Sequence, residues 1–446
     1  MRKNKISILG MGYVGIITAV TLAKQGYKSI CTDILIEKVE SLNKGIPPLY
    51  EPGLEALVKE LTKNNVLLGS TNNIDSIKNS DITFICVGTP TLPKNSIDLT
   101  AIKTVSKNIG EALQDKDGYH LVVVKSTVIP GTCEDIIIPT IEKYSRKKVG
   151  CDFGFCINPE FLRQGSAIKD SFNPDRIVIG EFDKKSGNLL LSINQNFTCP
   201  KMICDIKTAE MIKYASNSFL ATKISFANEF SRICEKLNID VYEVMKGVGL
   251  DHRINPLFLK AGCGFGGSCL PKDLKALIAK SKELNVKTPL LNSVLLNNEL
   301  QPMHCIDLMR NVVGTFQEKV VAFLGLSYKP NTDDVRETRA LPIIKKLFDE
   351  GAYIKAYDPK AIENFKQSTN IPCKYVHTWE EALKDAHFAV IQSDWEEIRN
   401  IKSNVFKKLM KNPIIIDCRR SYNPEELIRK GITYIGIGWK NKVNLK

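Results

Sequence analysis

The sequence predicts an α/β protein: two doubly wound, Rossmann-like domains joined by a long central helix and a helical middle region. Three observations lead there. Short apolar runs alternate with helical patterns over the first part of the chain, a long glycine-free helical stretch follows, and the alternation starts again near Val320. Continuous apolar strands separated by helices belong to parallel sheets covered on both faces.

The first domain is expected over residues 1–204, with strands at 5–9, 29–32, 82–87 and 121–125 and helices between them. Residues 205–310 form the helical middle. Its longest pattern, 205–237, places Ile206, Ala209, Met211, Ile212, Ala215, Phe219, Leu220, Ile224 and Ala227 at helical spacing without an internal glycine or proline. The segment 247–268 interrupts the helices. A second doubly wound domain, 311–446, follows, with strands at 320–325, 353–357, 388–392 and 413–417.

Composition narrows the function classes. A chain of 446 residues, 43% hydrophobic and 25% charged, exceeds what one core organises and has no disordered character. The net charge of +13 comes from lysines spread along the chain, which fits a solvated surface and an anionic small substrate better than nucleic acid. No apolar run has the length of a membrane span, and Met1, Arg2 and Lys3 lead straight into a strand, so a cytoplasmic location is expected. The 13 cysteines form no CxxC pair and only five histidines accompany them; no metal site is expected, and most of the thiols read as small buried hydrophobes.

Gly10, Gly12 and Gly15 form GxGxxG between the first strand and the first helix, and Asp33 ends the next strand. The first glycine permits the turn, the second lets backbone approach a pyrophosphate, the third lets helix and strand pack, and the acid holds a ribose diol. An acid there repels a ribose phosphate and favours NAD over NADP, while Lys38 nearby pulls the other way. Thr89 and Thr127 each follow a strand, where they either face the ligand crevice or cap a local turn.

Residues 262–273, GCGFGGSCLPKD, carry the densest chemistry. The glycines let backbone come close to a ligand, and Pro271 suits the first turn of a helix. Cys269 then stands at or just before a helix N-terminus, an arrangement that favours a thiolate, and Asp273 follows one turn later as a base. A buried structural cysteine is the competing reading; Cys263 has the weaker claim to chemistry. On the long helix, Lys213 and Asn217 share a face, as oxyanion donors or as a solvated surface.

These motifs, together with YEPGL (50–54), VGTP (87–90), NPEFL (158–162) and DVRE (334–337), run in order along nearly the whole chain, which resembles the UDP-glucose/GDP-mannose dehydrogenase family. The resemblance implies an NAD-dependent, four-electron oxidation of a nucleotide sugar at its 6-hydroxymethyl group, with UDP-glucose going to UDP-glucuronate. It assigns Cys269 the thiohemiacetal and thioester, Asp273 and Glu160 the handling of protons or water, and Lys213 and Asn217 the oxyanion. For NAD it implies Gly10, Gly12, Tyr13, Val14, Gly15, Asp33, Lys38, Thr89, Thr127, Glu160, Lys272 and Arg336. For the sugar donor it implies Glu160, Phe161, Leu162, Lys213, Asn217, Phe258, Leu259, Lys260, Gly262, Gly266 and Lys329, with Arg419 or Arg420. Arg253 matches an arginine offered to a neighbouring subunit, so a dimer or higher homo-oligomer is expected. GDP-mannose and UDP-N-acetylmannosamine are the competing substrates. Ser268 stands where enzymes for the latter usually carry histidine, and Gln164 stands where an acid is common. A catalytically silent protein that binds NAD and a nucleotide sugar is the reading from a different class.

Overall fold

Eight short strands, four of them fully buried, organise the first sheet of the computed structural model, which describes residues 4–440. Met1, Arg2 and Lys3, used above for the expected location, lie outside the described residues. The strands are β1 (Ile6–Leu9), β2 (Ser29–Thr32), β3 (Leu67–Ser70), β4 (Ile82–Ile85), β5 (His120–Val124), β6 (Phe153–Ile157), β7 (Ile177–Glu181) and β8 (Lys201–Cys204), in the spatial order β3-β2-β1-β4-β5-β6-β7-β8. Alternate residues feed two cores. Ile6, Ile8, Leu121 and Val123 pack on one face, and Leu9, Ile85, Val122 and Val124 pack on the other. This is the doubly covered sheet expected of continuous apolar strands.

One pairing departs from the expected all-parallel sheet: β6 and β7 run antiparallel. A parallel return needs a crossover helix about as long as the sheet is deep. The connection here carries only the six-residue helix Ala167–Phe172, roughly 9 Å at 1.5 Å per residue, so the chain re-enters from the end at which it left.

The second sheet contains β9 (Val320–Leu324), β10 (Tyr353–Tyr357), β11 (Lys374–Tyr375), β12 (Phe388–Ile391), β13 (Ile414–Asp417) and β14 (Thr433–Gly436). Its order, β11-β10-β9-β12-β13-β14, is all parallel and is that of a Rossmann sheet, with the direction of winding reversing between β9 and β12.

The predicted long helix runs over Ile206–Leu237. The chain divides into two compact units, Met1–Ser216 and Asn217–Lys446, and the boundary falls within this helix. Ile206, Ala209 and Ile212 join the core of the first unit. The rest of the helical middle, with helices Val241–Gly249, Leu270–Glu283 and Pro289–Val313, clusters with the second sheet. Among the described residues no helix is long and apolar enough to cross a membrane.

Candidate active site

In the first unit, the turn after β1 meets the requirements of a dinucleotide site. Gly10 has φ +102°, and a Cβ there would lie 2.8 Å from the Cys86 carbonyl oxygen; a Cβ on Gly15 would lie 1.8 Å from the Gly10 oxygen. Both positions therefore exclude side chains for reasons internal to the fold. Gly12 is different: it caps the helix Tyr13–Lys24, and nothing lies within 4 Å of its missing Cβ. That open space over a helix N-terminus fits a pyrophosphate. Asp33 accepts from Met11 N at 3.0 Å and Leu35 N at 3.1 Å, with Lys38 Nζ 3.8 Å away. Thr89 Oγ1 donates to the Thr127 carbonyl at 3.0 Å, which brings the two strand-end threonines together.

Glu160 and Lys213, 53 residues apart, form a buried ion pair of 2.9 Å, each side chain 6% exposed. Burial disfavours charge on Glu160. The Lys213 ammonium, the Leu162 N–H at 2.7 Å and the Lys125 ammonium outweigh it, and the pKa falls below the ordinary carboxylate value. The ring of Phe161 lies beneath the Arg176 guanidinium, 3.8 Å from its centroid, and 5.4 Å from Lys213 Nζ. Lys125, Glu160, Phe161 and Leu162 share the wall of a cavity of about 110 Å³.

In the second unit the helix Leu270–Glu283 begins directly after Cys269, which is its N-cap, with Pro271 in the first turn. Cys269 is exposed, and Ser268 Oγ lies 3.5 Å from its Sγ. Asp273 is 1% exposed. Asn217 Nδ2 donates to one carboxylate oxygen at 2.6 Å and Lys272 Nζ to the other at 2.6 Å. The solvated-face reading of Lys213 and Asn217 is thereby overturned: both are buried and each is bonded to a carboxylate. Arg336 is ion-paired to Asp334 at 2.6 Å, the Cys269 thiol contributes to raising its pKa, and its carbonyl accepts from Gly267 N at 2.9 Å.

The loop glycines have a duty beyond ligand approach. A Cβ on Gly264 would meet Asn298 Oδ1 at 2.7 Å, on Gly266 the Glu337 oxygen at 2.4 Å, and on Gly267 the Tyr328 ring at 2.7 Å. Protein atoms already fill the space beside them. The loop is pinned from outside: Gly262 N donates to Asn228 Oδ1 at 2.8 Å, Gln301 Nε2 to the Gly262 carbonyl at 2.8 Å, and Phe265 N to Asn298 Oδ1 at 2.7 Å. Cys263 within it is buried, which pushes its thiol up to about 11 and leaves it a packing residue.

Of the two arginines after β13, only Arg419 turns to the loop, donating to the Gly264 carbonyl at 3.4 Å, the Tyr328 carbonyl at 3.0 Å and the Gln392 carbonyl at 2.7 Å. Arg420, expected at the sugar donor, pairs instead with Asp240 at 2.9 Å and stacks on Tyr242 and Trp439. The two arginines sit in the turn that follows β13, where Arg420 has φ +54° and is aimed away from its neighbour, and spacing alone does not choose between them. Leu259 is buried, Phe258 has φ +66°, Lys260 is exposed, Lys329 Nζ lies 5.6 Å from the Tyr328 ring centroid, and Arg253 pairs with Asp251 in its own turn, at 2.6 Å.

Sequence reasoning missed Asn228, Asn298 and Gln301, which hold the loop, and Lys125, whose Nζ donates to Asn158 Oδ1 at 2.8 Å. Lys125 follows directly on β5, a position where ligand-facing residues are expected, and that signal was available. Burial lowers its pKa.

The chain matches the UDP-glucose/GDP-mannose dehydrogenase family in three stretches: the NAD binding domain over residues 4–198, the central domain over 207–300 and the UDP binding domain over 322–424. It is 42% identical over 439 residues to the UDP-glucose 6-dehydrogenase TuaD of Bacillus subtilis, covering 98% of this chain and 93% of that protein. It is 41% identical over 356 residues to a GDP-mannose 6-dehydrogenase of Pseudomonas savastanoi pv. phaseolicola, covering 79% of this chain and 80% of that protein. Its fold is similar to that of a UDP-glucose dehydrogenase from Pyrobaculum islandicum, with a TM-score of 0.91 and 36% identity, covering 98% of each chain.

Proposed function

The chain belongs to the UDP-glucose/GDP-mannose dehydrogenase family, and on that premise we propose that it oxidises UDP-glucose to UDP-glucuronate with two NAD, holding the sugar on Cys269 between the oxidations. The observation that carries this reading is an exposed cysteine at a helix N-cap, with a buried Asp273 held by Asn217 on the first turn of that helix. UDP-glucose is preferred to GDP-mannose because the UDP-glucose relative aligns over 98% of the chain and the GDP-mannose relative over 79%.

When bound at the turn holding Gly10, Gly12, Tyr13, Val14 and Gly15, with Asp33 on its ribose, NAD supplies the hydride acceptor for both oxidations. The chain's own residues do the rest. The alcohol proton passes to a carboxylate, with Asp273 as the candidate. Cys269 Sγ then bonds to C6 of the aldehyde, and the oxygen, steadied by Lys213 and Asn217, takes a proton to give the thiohemiacetal. Loss of the second hydride and the hydroxyl proton gives the thioester. Water adds to it, the C–S bond breaks, the acid leaves and the sulfur regains its proton. Glu160, kept anionic by Lys213, is a weak base and suits positioning that water. Arg336, Thr89, Thr127, Lys38 and Lys272 are assigned to NAD; Phe161, Leu162, Phe258, Leu259, Lys260, Gly262, Gly266, Lys329 and Arg419 are assigned to the sugar donor.

The division 1–204, 205–310 and 311–446 is retained as a functional one, for NAD, for catalysis and for the nucleotide of the donor. Self-association is included in the proposal. Phe219, Phe226 and Ile233, seven residues apart on one helix, are 64%, 44% and 48% exposed, a stripe suited to a second copy, and Arg253 is exposed to meet one. A cytoplasmic location is part of the proposal, supported by chemistry that uses a free thiol.

The test is NADH formation with UDP-glucose, GDP-mannose and UDP-N-acetylmannosamine in parallel. Two NADH per UDP-glucose is expected. Turnover with another sugar alone would move the substrate, and none with any would defeat the assignment.

A further inference from the structure

Glu51 is a buried carboxylate, 4% exposed, that the catalytic scheme does not use. Its three side-chain bonds come from neutral donors on two separate segments of the first unit. Tyr13, the first residue of the helix after the glycine turn, donates its hydroxyl to Oε2. Gly165 N donates to the same oxygen at 2.7 Å and lies 3.2 Å from the Tyr13 hydroxyl; Ala167 N donates to Oε1 at 2.6 Å. Gly165 and Ala167 follow within seven residues of Glu160, Phe161 and Leu162.

A buried carboxylate costs folding energy unless its oxygens are hydrogen-bonded. What it gains is geometric. Both oxygens bind backbone amides of the segment beyond Glu160, and the third donor belongs to the residue that starts the dinucleotide helix. We propose that Glu51 is a positioning residue that fastens the dinucleotide turn, through Tyr13, to the segment carrying Glu160, so that NAD affinity and the placement of Glu160 depend on one another.

This rests on the functional reading above, with NAD at the glycine turn and Glu160 in catalysis. The test uses the full chain with Tyr13→Phe, Glu51→Gln and the double variant. Glu51→Gln keeps the size of the side chain but replaces one accepting oxygen with an amide donor, which then faces an N–H or O–H that the carboxylate had accepted from. Each single change is expected to lower kcat/KM for UDP-glucose and NAD affinity by about tenfold, the order of one hydrogen bond to a charged group. The double variant is expected to lose no more than Glu51→Gln alone, because both changes cut the same link.

Additive losses, about a hundredfold in the double variant, would overturn the proposal. So would wild-type kcat/KM and NAD affinity in variants whose melting temperature alone falls, which is what a merely structural carboxylate would show. NAD affinity, measured by titration calorimetry, needs no turnover. A wild-type chain that binds NAD but oxidises no sugar would therefore defeat the functional reading while the binding cycle still decides the link.

Discussion

Asn217 and Asp273, 56 residues apart in sequence, meet through a 2.6 Å bond from Nδ2 to Oδ2, with the carboxylate 1% exposed. The bond holds the Asp273 carboxylate in place on the helix that Cys269 caps, and the same Asn217 amide is the one proposed above as an oxyanion donor.

Asn217→Ala is accordingly expected to do two things. Losing a partner of a buried carboxylate costs about 1 to 3 kcal/mol of stability, and losing an oxyanion donor costs about 100- to 1000-fold in kcat. Urea melts and steady-state NADH formation read the two separately. A stability loss with unchanged kcat would remove Asn217 from the oxyanion.

Lys213→Met strips the partner from buried Glu160 and is expected to destabilise the chain by about 3 to 5 kcal/mol at neutral pH. With Lys213 present, the pKa of Glu160 lies below its ordinary 4.5, so its contribution is complete above that value and is lost as pH falls. Without Lys213, burial is left to raise the pKa, and the variant is expected to recover stability relative to wild type on acidification toward pH 4.5. Melting temperatures across the range from neutrality down to that value show whether the gap narrows; a constant gap would contradict the pairing.

His120 is a second acid-sensitive point. Its Nε2 lies 2.8 Å from Thr83 Oγ1 and its Nδ1 3.0 Å from Lys116 Nζ, and burial, aided by the Lys116 charge, lowers its pKa from 6.5 to about 3. Between those values the unfolded chain binds the proton that the folded chain refuses, so stability declines as pH falls from 6.5 toward 3. His120→Gln is expected to flatten that decline, measured by chemical denaturation across the window. An equally steep decline in the variant would assign it to other groups.

The two glycines of the turn separate packing from binding. Gly12→Ala is expected to melt close to wild type and to raise the KM for NAD by about tenfold or more, because its Cβ would enter only the space above the helix N-terminus. Gly15→Ala is expected to compromise folding itself, since its Cβ would lie 1.8 Å from the Gly10 oxygen. Melting temperature beside KM for both variants checks the contrast.

What was legible in the sequence was local. The glycine turn announces itself because strand, glycines, helix and acid fall within 33 residues, and Cys269 because Pro271 marks the helix start beside it. The sheet order of a doubly wound domain follows from alternation. Strands β3, β6, β7 and β8 of the first sheet and β11 and β14 of the second escaped notice: β3, β8 and the two-residue β11 are not fully buried, β6 and β14 carry a glycine, and β7 follows a connection with too little helix to signal a crossover. The pins of the glycine loop are long-range, Asn298 meeting Phe265 from 33 residues away, and no spacing rule reports such a meeting. Arg419 and Arg420 were indistinguishable until their side chains had partners to choose.

The covalent role of Cys269 is the central claim, and Cys269→Ser tests it most directly. Mixed with UDP-glucose and NAD, the wild-type chain is expected to form two NADH per sugar and release the acid continuously. The Cys269→Ser chain is expected to stall with an acyl ester, seen as added mass on the peptide spanning residue 269, and to release acid only slowly. Sustained turnover by that variant, with two NADH per sugar and no acyl mass, would contradict the thioester route.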